Sequence, residues 1–453
     1  MLEKLATLIP AVESPKYAVS FRQRLLWTGI ILLLYLVMGL VALYGVAPAT
    51  YERFRYMQLI LASEMGTLMT LGIGPIVMGS IVLQLLVGTK VIELDLTKPE
   101  QREKFELYQK LAAVFFCFFE AIIYVLMGAI RPVSTAPIIV IFLILQLAMG
   151  GLIVMLFDEV VMKWGIGSGV SLFIAAGVCK EIFVRIFNPF TYGGEVPAGL
   201  LPQFVYLIGI GDVASAIDAL IPILTTLLIV VVVTYANSIS VEVPLALGSI
   251  SGFRRRWPLK FFYTSNIPVI LIAALLANLQ VFAQVLANNG MPILGSFDTH
   301  GNPTSGLIYY ITMPHASLLT LLHGAFTGEM LLRVIGHTLF YVIGAIVFSV
   351  LWVVTAGMDP KSVAEQITSI GLQIPGFRRD PRIVEQVLAR YIMPLAVMGG
   401  AAVGLLASVA DFLGALGSGA GILLTVMIIH NFYELIVYRY LQEMHPMLRK
   451  FFE

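Results

Sequence analysis

The stretch from Leu71 to Gly88, LGIGPIVMGSIVLQLLVG, sets a Gly-Ile-Gly-Pro break at the head of an apolar segment. Inside a helix each Gly costs about 1 kcal/mol and a Pro about 3 kcal/mol relative to Ala. A rigid lipid-facing helix has no need of such a break. Irregular backbone at membrane depth is tolerated only where protein buries it or where it lines a wet cavity. Just upstream, FRYMQLILASEMGTLMT from Phe54 is too short and polar to span, yet Met57, Ile60, Leu61, Met65 and Leu68 recur at near-helical spacing. A half-length helix ending at a flexible joint reads as a movable element.

The surrounding chain is a membrane protein. Of its 453 residues 59% are hydrophobic and 12% charged, about half the charge of a soluble domain, and the mean hydropathy is +0.92. The net charge of +1 exerts no global pull on nucleic acid, so an electrostatic partner must be met by a local patch. Cys117 and Cys179 lie in apolar runs without metal-ligand spacing and read as packing residues.

Apolar windows of spanning length fall near Leu25 to Tyr44, Ile73 to Val91, Leu111 to Ile130, Ala136 to Phe157 and Val170 to Phe187. Five more fall near Ala219 to Ala236, Ile267 to Leu286, Met330 to Thr355, Tyr391 to Leu413 and Gly417 to Tyr440. The first has no cleavage site after it and reads as a retained helix. MLEKLATLIPAVESP before it reads as a short amphipathic helix on the membrane surface. With a cytoplasmic N-terminus, about 22 of the 28 basic residues fall on the inner side, which places both termini in the cytoplasm. The outer side carries two long Gly- and Pro-rich connections, Asn188 to Asp218 and Ala287 to Glu329, which could dip partly into the membrane.

Ten spans invite division into two halves. Gly74-Pro75-Ile76-Val77 in the second segment is matched by Ile267-Pro268-Val269-Ile270 in the seventh, and Gly167-Ser168-Gly169 in the fifth by Gly417-Ser418-Gly419 in the tenth. Both pairs lie five segments apart, so the partners cross in opposite senses, as in the inverted repeats of channels and transporters. The fold expected is an all-α polytopic membrane protein with ten transmembrane helices in two pseudo-symmetric inverted halves of five. The divisions are an interfacial segment 1–24, a first half 25–187, an external connection 188–218, a second half 219–441 with cytoplasmic loops about 237–260 and 356–390, and a tail 442–453.

LGIGPIV with the following QLLVG, KWGIGSG followed by SLFIAAGV, YTSNIPVIL, DPKS with IPGFRRD, and DFLGALGSGAGILLTV occur in order along the chain. Together they resemble the SecY family of protein-conducting channels in its archaeal-like form. The resemblance implies a clamshell around an hourglass pore, a ring of apolar side chains at its waist, a plug half-helix and a lateral gate between the second and third and the seventh and eighth spans. Carried over motif by motif, the ring is Ile73, Val77, Val170, Ile174, Ile270 and Leu424. Branched aliphatics suit such a neck, because a narrow apolar constriction dewets and excludes ions while offering a passing chain no specific partner.

The plug implied spans about Arg55 to Thr67, with Met57, Ile60, Leu61, Ser63, Glu64 and Met65 as its body and Gly66, Gly72, Gly74 and Pro75 as its hinge. Glu120 in FFCFFEAIIY and Asn278 in LLANLQ are polar groups at membrane depth and functional candidates by default. The resemblance places them at the gate. Where the family pattern has a Thr after GPIV, this chain has Met78, so the polar cluster is incomplete or uses Ser80 or Gln84. Arg254, Arg255 and Arg256 in the sixth loop and Arg378 and Arg379 in the eighth are expected to dock the ribosome or another cytoplasmic partner, since arginine forks suit RNA phosphates. A SecE-type small subunit, a second small subunit, signal sequences, nascent polypeptides and the lipid bilayer complete the partners implied, at the cell (plasma) membrane.

No cofactor or metal is expected: GxxxxGK[ST] and HExxH are absent. Gly167-Ser168-Gly169 lacks nucleophile-elbow spacing, and no histidine is expected in a well-placed helix, so the chain is read as a passive conduit driven by an external motor. The alternative is a secondary transporter of a small solute, which would need converging polar ligands at midplane; Ile, Val, Leu and Gly dominate the breaks, with Glu120 nearly alone.

Overall fold

The computed structural model describes residues 12–17, 19–47, 66–88, 91–92, 94, 99–126, 130–134, 136–191, 196–247, 254–264, 267–288, 290–298, 302–314, 317–369, 372–373 and 381–444. The first half contributes α1 (Phe21–Met38), α2 (Gly74–Gly88), α3 (Pro99–Leu126), α4 (Pro137–Trp164) and α5 (Gly169–Phe187). After α6 (Leu200–Gly209) in the connection come α7 (Val213–Ser238), strands β1 (Ser240–Leu247) and β2 (Arg254–Lys260), and α8 (Ile267–Asn288). Two short helices follow, α9 (Gly306–Ile311) and α10 (Ser317–Leu322), then α11 (Gly328–Thr355), α12 (Pro360–Ser369), β3 (Leu372–Gln373), α13 (Pro381–Phe412) and α14 (Gly419–Met444). All ten expected spans are helices: α1 to α5, α7, α8, α11, α13 and α14.

Leu33, Ile138, Leu224, Val231 and Leu339 are all more than half exposed. So much outward apolar surface is tolerated by lipid and not by water. Eight of the described helices are long and apolar enough to cross a membrane on their own. The two exceptions are α2 and α5. With 15 residues, α2 reaches about 22 Å, short of a ~30 Å hydrocarbon core. It does not need to span alone, because Ile76, Val77, Ile81, Leu83 and Gln84 are buried in protein. Lys180, Glu181 and Arg185 lower the apolarity of α5, which packs on α14, α4 and α6.

Each break sits at a helix start. Pro75 and Pro268 occupy the first turns of α2 and α8, where a missing N–H is harmless. Gly167 and Gly417 precede α5 and α14 with φ of +73° and +82°, a left-handed turn that favours glycine. The repeat partners also face one another: α2 packs on α8, and α5 packs on α14. A pseudo-twofold axis passing between the halves produces both pairings.

Several boundaries differ from the sequence expectation. The loop between the second and third spans is largely helical, since α3 begins at Pro99, and α13 begins at Pro381 where a loop to Arg390 was expected. The sixth loop is a β-hairpin, with Ser240 opposite Lys260 and Ala246 opposite Arg254. The eighth loop contributes α12 and β3, and β3 pairs with the far end of β1 through Ala246–Gln373 and Leu247–Leu372. The sheet order is β2-β1-β3. Pro244 is tolerated in the middle strand because β3 covers only its last two residues. Val243 and Leu259 from the hairpin pack with Val363 and Ile367 of α12 and Val384, Leu388 and Ile392 of α13. Lys260 pairs with Glu434 of α14 at 2.6 Å, and the Tyr263 hydroxyl donates to the Met358 carbonyl at 2.9 Å. Burial there pushes the Tyr263 phenol up to about 12, with the charge of Asp359 adding to the effect.

The amphipathic segment expected at the N-terminus falls mainly on residues 1–11, outside the described residues. Cys117 is buried on α3, but Cys179 on α5 is exposed, so it is not the packing residue expected. A residue within an apolar run still has an outward face in lipid.

Candidate pore constriction and lateral seam

Four helices, two from each half, bring the six expected ring residues into one apolar cluster. Val77 in the first turn of α2, Ile270 in the first turn of α8 and Leu424 in the second turn of α14 are 5%, 7% and 4% exposed and belong to its buried set. Ile73, just before α2, and Val170 and Ile174 on α5 are partly buried and pack against it. Met78 packs there too. Every contributor lies at or near a helix start, so the Gly and Pro breaks are what direct these side chains to a common place.

Beside this cluster lies a cavity of about 680 Å³, lined by Glu181 and Arg185 of α5, Ala273 and Gln280 of α8, and His337 and Tyr341 of α11. It opens between the halves. α2 packs against both α8 and α11, forming a seam between the halves.

The polar residues expected at that seam are not joined into one cluster. The Gln84 amide donates to the Ser80 hydroxyl at 2.9 Å within α2, leaving its buried Oε1 without a hydrogen-bond partner. Glu120 of α3 is 3% exposed, its Oε1 also lacks a partner, and its Oε2 lies close to Gly74 at the start of α2. Asn278 turns its amide back to the Ala274 carbonyl of its own helix at 2.9 Å. Ser80 with Gln84, Glu120 and Asn278 are therefore three separate features. Leaving two buried oxygens unpaired is costly, which makes this part of α2 and α3 ready to accept a donor.

Met57, Ile60, Leu61, Ser63, Glu64 and Met65 lie outside the described residues, as do Arg378 and Arg379. Of the expected hinge, Gly66 and Gly72 have φ of +81° and +51°, and Gly74 and Pro75 open α2. Arg254, Arg255 and Arg256 form the start of β2, paired with Ala246, Leu245 and Pro244.

Three groups escaped the sequence reading. His337 does lie in a helix, α11, where it is 3% exposed and contacts Asp411 at 3.2 Å. Its other ring nitrogen faces the Ile311 carbonyl at 2.8 Å and no serine hydroxyl. Asp158 of α4 is also largely buried, 9% exposed. Both aspartates are occupied by backbone N–H groups, so they do not form an open ligand set. Among the described residues no group of three His, Cys, Asp or Glu side chains could hold a metal ion. The signal that could have found the aspartates is an acidic residue repeated ahead of each Gly-Ser-Gly turn.

Two inverted halves meeting at an aliphatic cluster, with a cavity beside it and α2 packed against α8 and α11, have the architecture of a helical membrane channel. The SecY family model matches residues 67–433. A curated relative from Methanococcus vannielii, Protein translocase subunit SecY, is 43% identical over 99% of this chain and 99% of its own. Its counterpart from Methanothermobacter thermautotrophicus is 44% identical over 99% and 98%. A solved structure described as that of a protein conducting channel aligns with a TM-score of 0.84 at 41% identity, covering 98% of this chain and 99% of the other. Sec61 in the canine ribosome-channel complex from the endoplasmic reticulum aligns at 0.81 and 41%, with the same coverage. The chain belongs to the SecY family.

Proposed function

We propose that the chain is the central pore-forming subunit of a Sec protein translocation channel, passing unfolded polypeptides across the cell membrane and releasing membrane segments sideways into the bilayer. The observation that carries this is the convergence of six aliphatic side chains from four helices of both halves. A greasy contact between the halves can be parted by a travelling chain and closes again without it. The neighbouring cavity is the outer vestibule, with both termini cytoplasmic. Residues 25–187 and 219–441 are the two moving halves, and the plug of Met57 to Met65 swings on Gly66 and Gly72.

The test is crosslinking. In a Cys117→Ser, Cys179→Ser background, cysteines placed at Ile73, Val170 and Leu424 are expected to capture an arrested secretory chain, while one at lipid-facing Leu224 is not. Equal capture at all four positions would sink the pore assignment.

The seam is the lateral gate, where signal sequences intercalate between α2 and α8. Asn278→Leu removes an amide that bonds only its own helix and makes the α8 face more apolar. We expect it to favour the closed seam and to lower insertion of weakly apolar signal sequences, read in a translocation assay across signals of graded hydropathy; an unchanged threshold counts against the gate role.

Arg254 to Arg256, with Arg378 and Arg379, form the docking site for the ribosome. Support comes from the sheet: β3 places the eighth loop against β1, whose other partner carries Arg254 to Arg256. Arg378 follows Gln373 by five residues, a reach of at most about 18 Å. A SecE-type subunit and a second small subunit complete the assembly. No observation favours the transporter alternative.

A further inference from the structure

The two Gly-Ser-Gly turns share a construction beyond their sequence. Ser168 Oγ accepts from the Ser171 N–H at 3.4 Å, and Ser418 Oγ accepts from the Gly421 N–H at 3.0 Å. Each serine therefore caps its own helix. In each half a carboxylate from the preceding helix then reaches into the first turn of the next. Asp158 of α4 accepts from the Val170 N–H at 2.8 Å, and Asp411 of α13 accepts from the Gly419 N–H at 2.6 Å. Both junctions are close-packed. A Cβ on Gly169 would stand 2.6 Å from Asp158 Cα, and one on Gly419 would stand 2.2 Å from the Ala407 carbonyl oxygen.

A capping side chain ordinarily belongs to the residue that begins the helix, and here the serines fill that role. The aspartates come from a neighbouring helix, so they fix one helix relative to another. A carboxylate suits the position, because it satisfies an orphan N–H and lies at the positive end of the helix dipole. What the two clamps hold is the constriction. Val170 donates the clamped N–H and is itself a ring residue, and Leu424 lies five residues beyond Gly419. The second clamp is braced from behind by His337, which joins Asp411 to the Ile311 carbonyl of α9.

We propose that Asp158 and Asp411 are positioning residues for the pore constriction, each setting how far a ring-bearing helix projects between the halves. This rests on the ring assignment above.

The test uses the full-length chain, with whatever small subunits copurify, reconstituted in liposomes. Resting potassium and chloride flux is measured for Asp158→Leu, Asp411→Leu, the Asp→Asn variants at both sites, and Val170→Ser with Leu424→Ser. Thermal melting and size-exclusion profiles establish folding. The leucine variants are expected to raise resting flux by about tenfold or more, as a loosened apolar neck rehydrates. The asparagine variants keep an acceptor oxygen and are expected to stay near the parent. If the serine variants leak and folded leucine variants do not, the positioning inference fails and the ring stands. If none leaks, the ring assignment falls and the inference falls with it.

Should a leucine variant not fold, Asp→Ala at the same site is examined in native membranes by oxidative crosslinking, between cysteines at Ile73 and Val170 for Asp158 and between cysteines at Val77 and Leu424 for Asp411. Disulfide formation demands close Cβ geometry, and its rate is expected to change by about threefold or more relative to the parent. An unchanged rate overturns the proposal.

Discussion

Replacing Val77, Ile270 and Leu424 together by serine is expected to open the resting channel to ions. All three are buried in the shared cluster, and one comes from each of α2, α8 and α14. In the proposed pore they would exclude ions by offering water nothing to bond: a narrow aliphatic neck dries, and an ion entering it finds no substitute for its hydration shell. Three hydroxyls at that neck supply donors and acceptors and leave space for water. A rise in flux of two orders of magnitude corresponds to about 2.7 kcal/mol off the barrier, a modest demand on three such changes. Truncation also costs stability, about 2–5 kcal/mol for a fully buried leucine reduced to alanine. The control is therefore Ile270→Val with Leu424→Ile, which conserves shape at a cost of less than about 1.5 kcal/mol each and is expected to leave the channel sealed. Flux measured in liposomes, with folding checked in parallel, separates the two effects.

Charge reversal of Arg254, Arg255, Arg256, Arg378 and Arg379 to glutamate is expected to abolish ribosome binding at physiological salt. RNA phosphates bound by arginine release counterions, and each contact adds about 0.7 to 0.9 to the slope of log affinity against log salt. Five lost contacts would flatten that slope by about 4. Cosedimentation with ribosomes over a salt series reads both the affinity and the slope. With the hairpin folded, binding that weakens equally at every salt concentration would remove the arginines from the docking site.

How much of this was legible in the sequence depended on the strength of the local signal. The ten spans were legible because lipid demands long apolar runs, and the two paired breaks because Gly and Pro punctuate a helix wherever they fall. The extensions of α3 and α13 were not, since PEQREKFELYQK and PRIVEQVLAR are polar and escape an apolar window. The hairpin left a fainter trace: Val241, Val243, Leu245 and Leu247 alternate with Ser240, Glu242, Pro244 and Ala246, a period of two. It was hidden by the prolines and by expecting only helices and loops. The hydrogen-bond pairings at the seam could not be read at all. Whether Asn278 reaches across to a neighbour or back to its own helix depends on side-chain geometry, and residue type alone says nothing of it.

The three-stranded sheet draws its apolar footing from Val353, α12 and α13, and Lys260 fastens it to α14. All of these belong to the second half. A large particle seated on that platform would therefore grip one shell of the molecule and leave the other free to swing. Opening would then be a motion of the amino-terminal shell against an anchored partner, and the docked particle's outlet would stay in line with the half it holds.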